Sequence, residues 1–220
     1  MLRAITCICI FICSLLSVNA QQKNDATQQL GRALDYFVSG KYHEALLLFQ
    51  RLDKDYKLNA RFRAYIGLCY YYEWDYKNAA KYLDEMIPQL ESLSPHERSV
   101  YYYADAESHF NQQQYAEAIP YYEGVLINGY ERDKGDAFYR IGFCYYLLGE
   151  EADAYNDTAT VVNYRSNALE NLSAAAAYYR QYRNIADLEA RLAQIDRMCN
   201  GLSAYLRRQS TMEANPSPSE

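Results

Sequence analysis

The side chains able to do covalent or acid–base chemistry are few and scattered. His43, His96 and His109 stand far apart in the chain, and no Ser or Cys nucleophile has a recognisable base near it. The pairs Asp84-Glu85 and Glu150-Glu151 read as solvated helix surface. Cys69, Cys144 and Cys199 are single; with no CxxC and no His/Cys cluster they read as small buried thiols, and no metal site is indicated. A Gly-rich phosphate loop is absent from the sequence. Neither an enzyme nor a cofactor is therefore expected. What remains is recognition by rings: the 220 residues include 25 Tyr and 7 Phe but one Trp. Such rings anchor peptides through buried area and hydroxyl hydrogen bonds, and they also stack on sugars.

Composition narrows the setting for those rings. Lys+Arg is 22 against 28 Asp+Glu, a net charge of −6, so phosphate neutralisation is not a plausible task and no nucleic-acid partner is expected. The aromatic content is too high for a disordered chain. Residues Met1–Ala20 hold one charge, Arg3, then an apolar run to Val18 and the small pair Asn19-Ala20. This reads as a cleaved secretory signal peptide, shorter than a bilayer span, so the expected location is exported, periplasmic or secreted. No later apolar run reaches membrane length.

The elements that must position the rings come from an internal repeat. Ala45, Ala79, Ala118 and Ala154 follow similar segments and lie 34, 39 and 36 residues apart. Twelve residues before each stands a small residue: Ala33, Gly67, Ala106 and Gly142. Three after each small residue comes a ring, Tyr36, Tyr70, His109 or Tyr145. Four after each aligned Ala come Phe49, Leu83, Tyr122 and Thr158. A fifth, eroded copy carries Ala176, Tyr179, Leu188, Leu192 and Ile195. Small residues let two helices approach closely where they cross, and the rings fill the flanking space. Ser94-Pro95-His96-Glu97 reads as a helix start, Asn128-Gly129 and Asn200-Gly201 as helix stops.

This pattern resembles the tetratricopeptide repeat, and the chain is similar to exported bacterial members of that family. The resemblance implies an all-α, right-handed superhelix of antiparallel helix pairs: about four clear repeats near 26–59, 60–93, 99–132 and 135–168, plus a degenerate one at 169–200. Residues 21–200 would form the domain, and 201–220 a mostly disordered tail.

In such a superhelix the first helix of each repeat lines the inner face. Seven-residue steps on those helices place Phe37, Tyr71, Tyr72, Tyr103, Glu107, Phe110, Tyr139, Phe143 and Tyr146 there. The expected function is a non-catalytic protein-interaction scaffold of the cell envelope, holding a partner protein or peptide in this aromatic groove. The alternatives are capture of a glycan or small ligand, or an envelope assembly factor.

Overall fold

The computed structural model describes residues 25–182 and 187–214, and every regular element among them is helical. Helix α1 covers residues 25–38. It is followed by α2 (Tyr42–Tyr56), α3 (Ala60–Tyr72), α4 (Tyr76–Met86), a short 3-10 turn (Ile87–Gln89), α5 (Pro95–Asn111), α6 (Tyr115–Asn128), α7 (Glu131–Ala154), α8 (Thr158–Gln181) and α9 (Leu188–Ala214). From α2 onward the substantial helix contacts join chain neighbours, with α3 also touching α5. That near one-dimensional order is an all-α solenoid: each hairpin covers its apolar faces with the next one. The signal-peptide reading of 1–20 lies outside the described residues, as do 215–220 of the tail.

Each hairpin closes with the same turn. Gly40, Trp74, Gln113 and Asn156 adopt left-handed backbone at φ 73, 62, 62 and 58°. The amide after each one bonds back across the turn: Lys41 to Tyr36 O, Asp75 to Tyr70 O, Gln114 to His109 O and Asp157 to Ala152 O. This pattern satisfies carbonyls that the helix end leaves open. The expected helix start at Ser94 is present, its side chain accepting from Glu97 N with Pro95 in the first turn. Helix α6 stops at Asn128 with Gly129 as its cap.

The small-to-large crossings of the first three hairpins fall where the repeat spacing put them. Ala33 and Phe49 share one core cluster, and Ala106 and Tyr122 another. A Cβ on Gly67 would lie 2.7 Å from Leu83 Cγ. The aligned Ala45, Ala79 and Ala118 are fully buried.

The fourth hairpin corrects the sequence register. Its turn residue, Asn156, stands seven positions later than the repeat spacing requires. Ala154 and Thr158, expected in the core, are exposed. Counted from the turn, Val161 takes the place of the aligned Ala, Gly149 that of the small residue, and Arg165 that of the large apolar one. Both helices of this hairpin carry two extra turns. Gly135, Gly142 and Gly149 recur every seven residues along α7 and face Tyr179, Leu172 and Arg165 of α8, which recur every seven in the opposite sense. A heptad step returns nearly to the same helix face, so the helices stay in contact over their whole length.

The fifth repeat at 169–200 is corrected with it. Its first helix is the second half of α8, so two repeats share one continuous 24-residue helix. Ala176, Tyr179 and Ile195 are buried together, with Leu188 and Leu192 packed against them. The expected stop at Asn200-Gly201 is also overturned, because α9 runs through it to Ala214. The reason is packing: Ile195, Met198, Cys199 and Leu202 form one stripe against α8, and the Arg165 guanidinium sits 3.9 Å from the Tyr205 ring centroid. A Cβ on Gly201 would meet nothing within 4 Å. Gly201→Ala is therefore expected to stabilise the fold by about 0.5–1 kcal/mol, through helix propensity alone. A thermal melt checks this; a fall in Tm would restore the helix stop.

Candidate functional site

The first helices of successive hairpins form the walls of two neighbouring hollows. One, of about 310 Å³, is lined by Tyr71 and Tyr72 of α3, Ser99, Val100, Tyr103 and Ala104 of α5, Val125 of α6, and Asp133 and Asp136 of α7. The other, of about 430 Å³, continues past Tyr103 and Asp136 to Tyr139 and Arg140, and is closed by Asp187, Ala190, Arg191 and Gln194 of the α9 segment. Tyr103 and Asp136 belong to both, so the hollows make one groove.

Of the residues expected to line it, Tyr71, Tyr72, Tyr103 and Tyr139 do so. Phe37 sits at the N-terminal end, edge-on to Tyr65 and Tyr72 at ring-centroid distances of 4.8 and 6.0 Å. Tyr72 is 40% exposed and stacks on Tyr42 at 4.2 Å. Burial, aided by the Tyr103 and Glu107 charges, pushes the Tyr71 phenol well above its ordinary range, so it stays a neutral hydrogen-bond donor. At the other end Tyr139, Phe143 and Tyr146 lie in a row on α7, with near-parallel rings spaced 6.1 and 6.2 Å. Tyr146 opens onto a separate hollow with Arg165, Arg197, Tyr205 and Arg208. The chain's own α9 therefore occupies the C-terminal part of the stripe, with Gln194 Nε2 donating to the Tyr139 hydroxyl at 3.2 Å. The eroded fifth repeat indicated this helix through Leu188, Leu192 and Ile195, but not its place over the stripe, because Gln194 and its polar neighbours carry no repeat pattern.

Glu107 is a correction. It is 6% exposed and its carboxylate is fully engaged. Oε1 accepts from the Tyr122 hydroxyl at 2.6 Å and from Arg140 Nε at 2.7 Å. Oε2 accepts from Arg140 Nη2 at 2.8 Å. The guanidinium also lies 4.7 Å from the Phe110 ring centroid, which removes much of that ring from contact with a partner. Glu107 and Phe110 are thus parts of an internal brace between α5, α6 and α7, while Asp136 is bonded by the Tyr179 hydroxyl at 2.6 Å and paired with Arg191.

A second group of polar residues, which the sequence reading set aside, meets where α4, α5 and α6 join. Asp105 and His109 are four apart on α5, and Asp84 reaches them from α4. His109 Nε2 is 3.2 Å from Asp84 Oδ1 and 3.7 Å from Asp105 Oδ1. His109 Nδ1 and Gln114 Oε1 are 2.8 Å apart. Tyr121 donates its hydroxyl to Asp84 and stacks on the His109 ring at 5.3 Å, 4° from parallel. Burial pushes the Asp105 carboxyl up to about 8, with the Asp84 charge adding to the rise. For His109, desolvation pulls downward, but its bonds to Asp84 and Gln114 outweigh this and raise it. His109 does hold a repeat packing position, as expected. Asp84, read as solvated surface beside Glu85, is exposed as expected and in addition takes part in this cluster. The available signal was the i, i+4 pair Asp105/His109 on one helix face; its partner 21 residues earlier was not legible.

Comparison with known proteins adds little to this picture. No family model matches the chain, and no curated protein does. Among solved structures, a MamA fragment from Desulfovibrio magneticus RS-1 is similar at 14% identity and a TM-score of 0.46, over 84% of this chain and 96% of that one. A second MamA crystal structure is similar at 13% identity and a TM-score of 0.49, over 89% and 97%. Among the described residues no helix is long and apolar enough to cross a membrane.

Proposed function

We propose that this chain is an exported, non-catalytic interaction scaffold of tetratricopeptide type, which holds a segment of a partner protein against Tyr71, Tyr72 and Tyr103. The observation that carries the reading is the groove itself: an open, ring-lined hollow between α3, α5 and α7, with the carboxylates of Asp133 and Asp136 at its edge. Rings supply contact area at low entropic cost, and the Asp133 carboxylate favours a cationic side chain, which can also sit over a ring, whereas Asp136 is already paired with Arg191. The fitting ligand is an extended segment with apolar anchors and a Lys or Arg, consistent with the net charge of −6. Export rests on the leader-like character of Met1–Ala20.

A random-peptide display selection tests the site. Selected peptides are expected to be basic and apolar, and to bind Tyr71→Ala/Tyr103→Ala at least about tenfold more weakly, each truncation costing on the order of 1 kcal/mol or more. Tyr155→Ala serves as control, since Tyr155 is 85% exposed in a hairpin turn away from the groove. Equal binding to the double variant would refute the site. Selection of no peptide, with uptake of oligosaccharides instead, would favour the glycan alternative.

A further inference from the structure

Asp105 is an anomaly in a protein interior. Its side chain is completely buried, yet neither carboxylate oxygen has a hydrogen-bond partner. A buried charge or polar atom left without a partner is costly, and native interiors rarely retain one without a reason. Asp105 Oδ1 faces His109 Nε2 at 3.7 Å, beyond hydrogen-bond reach.

A proton on Asp105 resolves only part of this arrangement: the neutral carboxyl can donate to Asp84, but its second oxygen stays unpartnered. With Gln114 Oε1 as the acceptor, His109 Nδ1 carries the ring proton of the neutral imidazole, and the Nε2 lone pair points towards two carboxylates. A second proton on Nε2 could bond Asp84 Oδ1 at 3.2 Å, but it gives Asp105 no further partner. A cation between the three groups would engage one donor atom of each. Asp84, Asp105 and His109 each offer one ligand atom, and these atoms lie within 4.8 Å of one another. Metal–ligand bonds of about 2.0–2.2 Å in tetrahedral geometry separate neighbouring donors by roughly 3.3–3.6 Å. The distances of 3.2 and 3.7 Å from Nε2 bracket that range.

We propose that Asp84, Asp105 and His109 Nε2 form a binding site for one divalent transition-metal ion of the zinc class. The donor chemistry selects the class: an imidazole nitrogen disfavours Mg2+ and Ca2+, which take oxygen ligands, and two carboxylates without thiolate disfavour Cu+. The surroundings supply the outer support that such sites use. Gln114 fixes the tautomer that presents Nε2, and Tyr121 both bonds Asp84 and stacks on the ligating ring. The ion would clamp α4 to α5 at the junction between the second and third hairpins. Its role there is structural and is independent of the aromatic groove.

The test uses untagged, chelator-treated protein titrated with Zn2+ alone, followed by calorimetry and elemental analysis. One Zn2+ per chain is expected, with a rise in Tm on loading. Asp105→Asn and His109→Gln should each weaken binding at least about tenfold. Asp84→Asn, at a side chain 44% exposed, should do the same without disturbing the fold, as circular dichroism would verify. Loading with Co2+ should give visible d–d bands without a thiolate charge-transfer band, and Cys199→Ser should bind as wild type. The site is disproved if no Zn2+ is taken up, if Asp84→Asn retains wild-type affinity, or if binding is lost in Cys199→Ser.

Discussion

Gly142→Leu is expected to lower stability by about 3 kcal/mol or more, a fall in Tm on the order of 10 °C in a chain of this size. The cause is the seven-residue glycine ladder of α7. A Cβ at position 142 would stand 2.8 Å from Leu172 Cγ and 3.0 Å from Leu172 N. The leucine side chain can turn away, but the backbone nitrogen moves only if α7 and α8 separate. Separation would uncover a helix interface that includes Ala168, Leu172, Ala175 and Tyr179, all essentially inaccessible. Helix propensity works in the opposite sense, since Leu is better than Gly by up to about 1 kcal/mol, and is the smaller effect. Gly149→Ala gives the contrast. Its nearest neighbour is Arg165 Cγ at 3.3 Å, on a flexible side chain, so that variant should melt within a few degrees of wild type. Differential scanning calorimetry of the two variants would decide the point, and an unshifted Gly142→Leu melt would mean that the two long helices pack in another register.

Arg140→Met should cost about 3–5 kcal/mol, the usual consequence of leaving one member of a buried ion pair uncompensated. Arg140 grips both oxygens of Glu107, and after its loss that carboxylate would keep only the Tyr122 hydroxyl. Tyr122 is itself fully buried, but Arg140 is 29% exposed and borders the groove, so water entering from that side would place the loss towards the lower end of the range. Desolvation works against the Arg140 charge, yet the Glu107 carboxylate outweighs it and keeps the guanidinium firmly protonated. The double variant Arg140→Met/Glu107→Gln removes the stranded charge, and it should recover about half of the loss or more. Urea denaturation of the two singles and the double gives the coupling directly. A double variant as unstable as the sum of the singles would mean that the pair is not a coupled brace.

These two sites show where sequence reasoning reaches and where it stops. The crossing residues Ala33, Gly67 and Ala106 were legible because each stands twelve residues before its aligned Ala, and helix geometry turns that distance into a contact. Gly142 was legible as a small residue at a crossing, but not in its register. A shift of seven residues preserves the helix face, so Gly142 and Gly149 satisfy the same local pattern. Only the position of the turn at Asn156 separates them. Glu107 was legible as a residue on the inner face but not as a buried one, because Arg140, 33 positions later, is what engages it. The Tyr71–Tyr103 groove was visible as a stripe of rings. That α9 would occupy the end near Tyr139 was not.

The sequence by itself determined the helical hairpins, their small-residue crossings in the first three pairs and the stripe of rings on one face of the first helices. All of these follow from patterns within about 40 residues that local geometry enforces. The tertiary structure alone decided the length of the α7–α8 hairpin, the continuation of α9 through Gly201, the brace of Glu107 with Arg140, and the meeting of Asp84 with Asp105 and His109. Each depends on stacking one hairpin on the next, which brings together side chains that no short-range period connects.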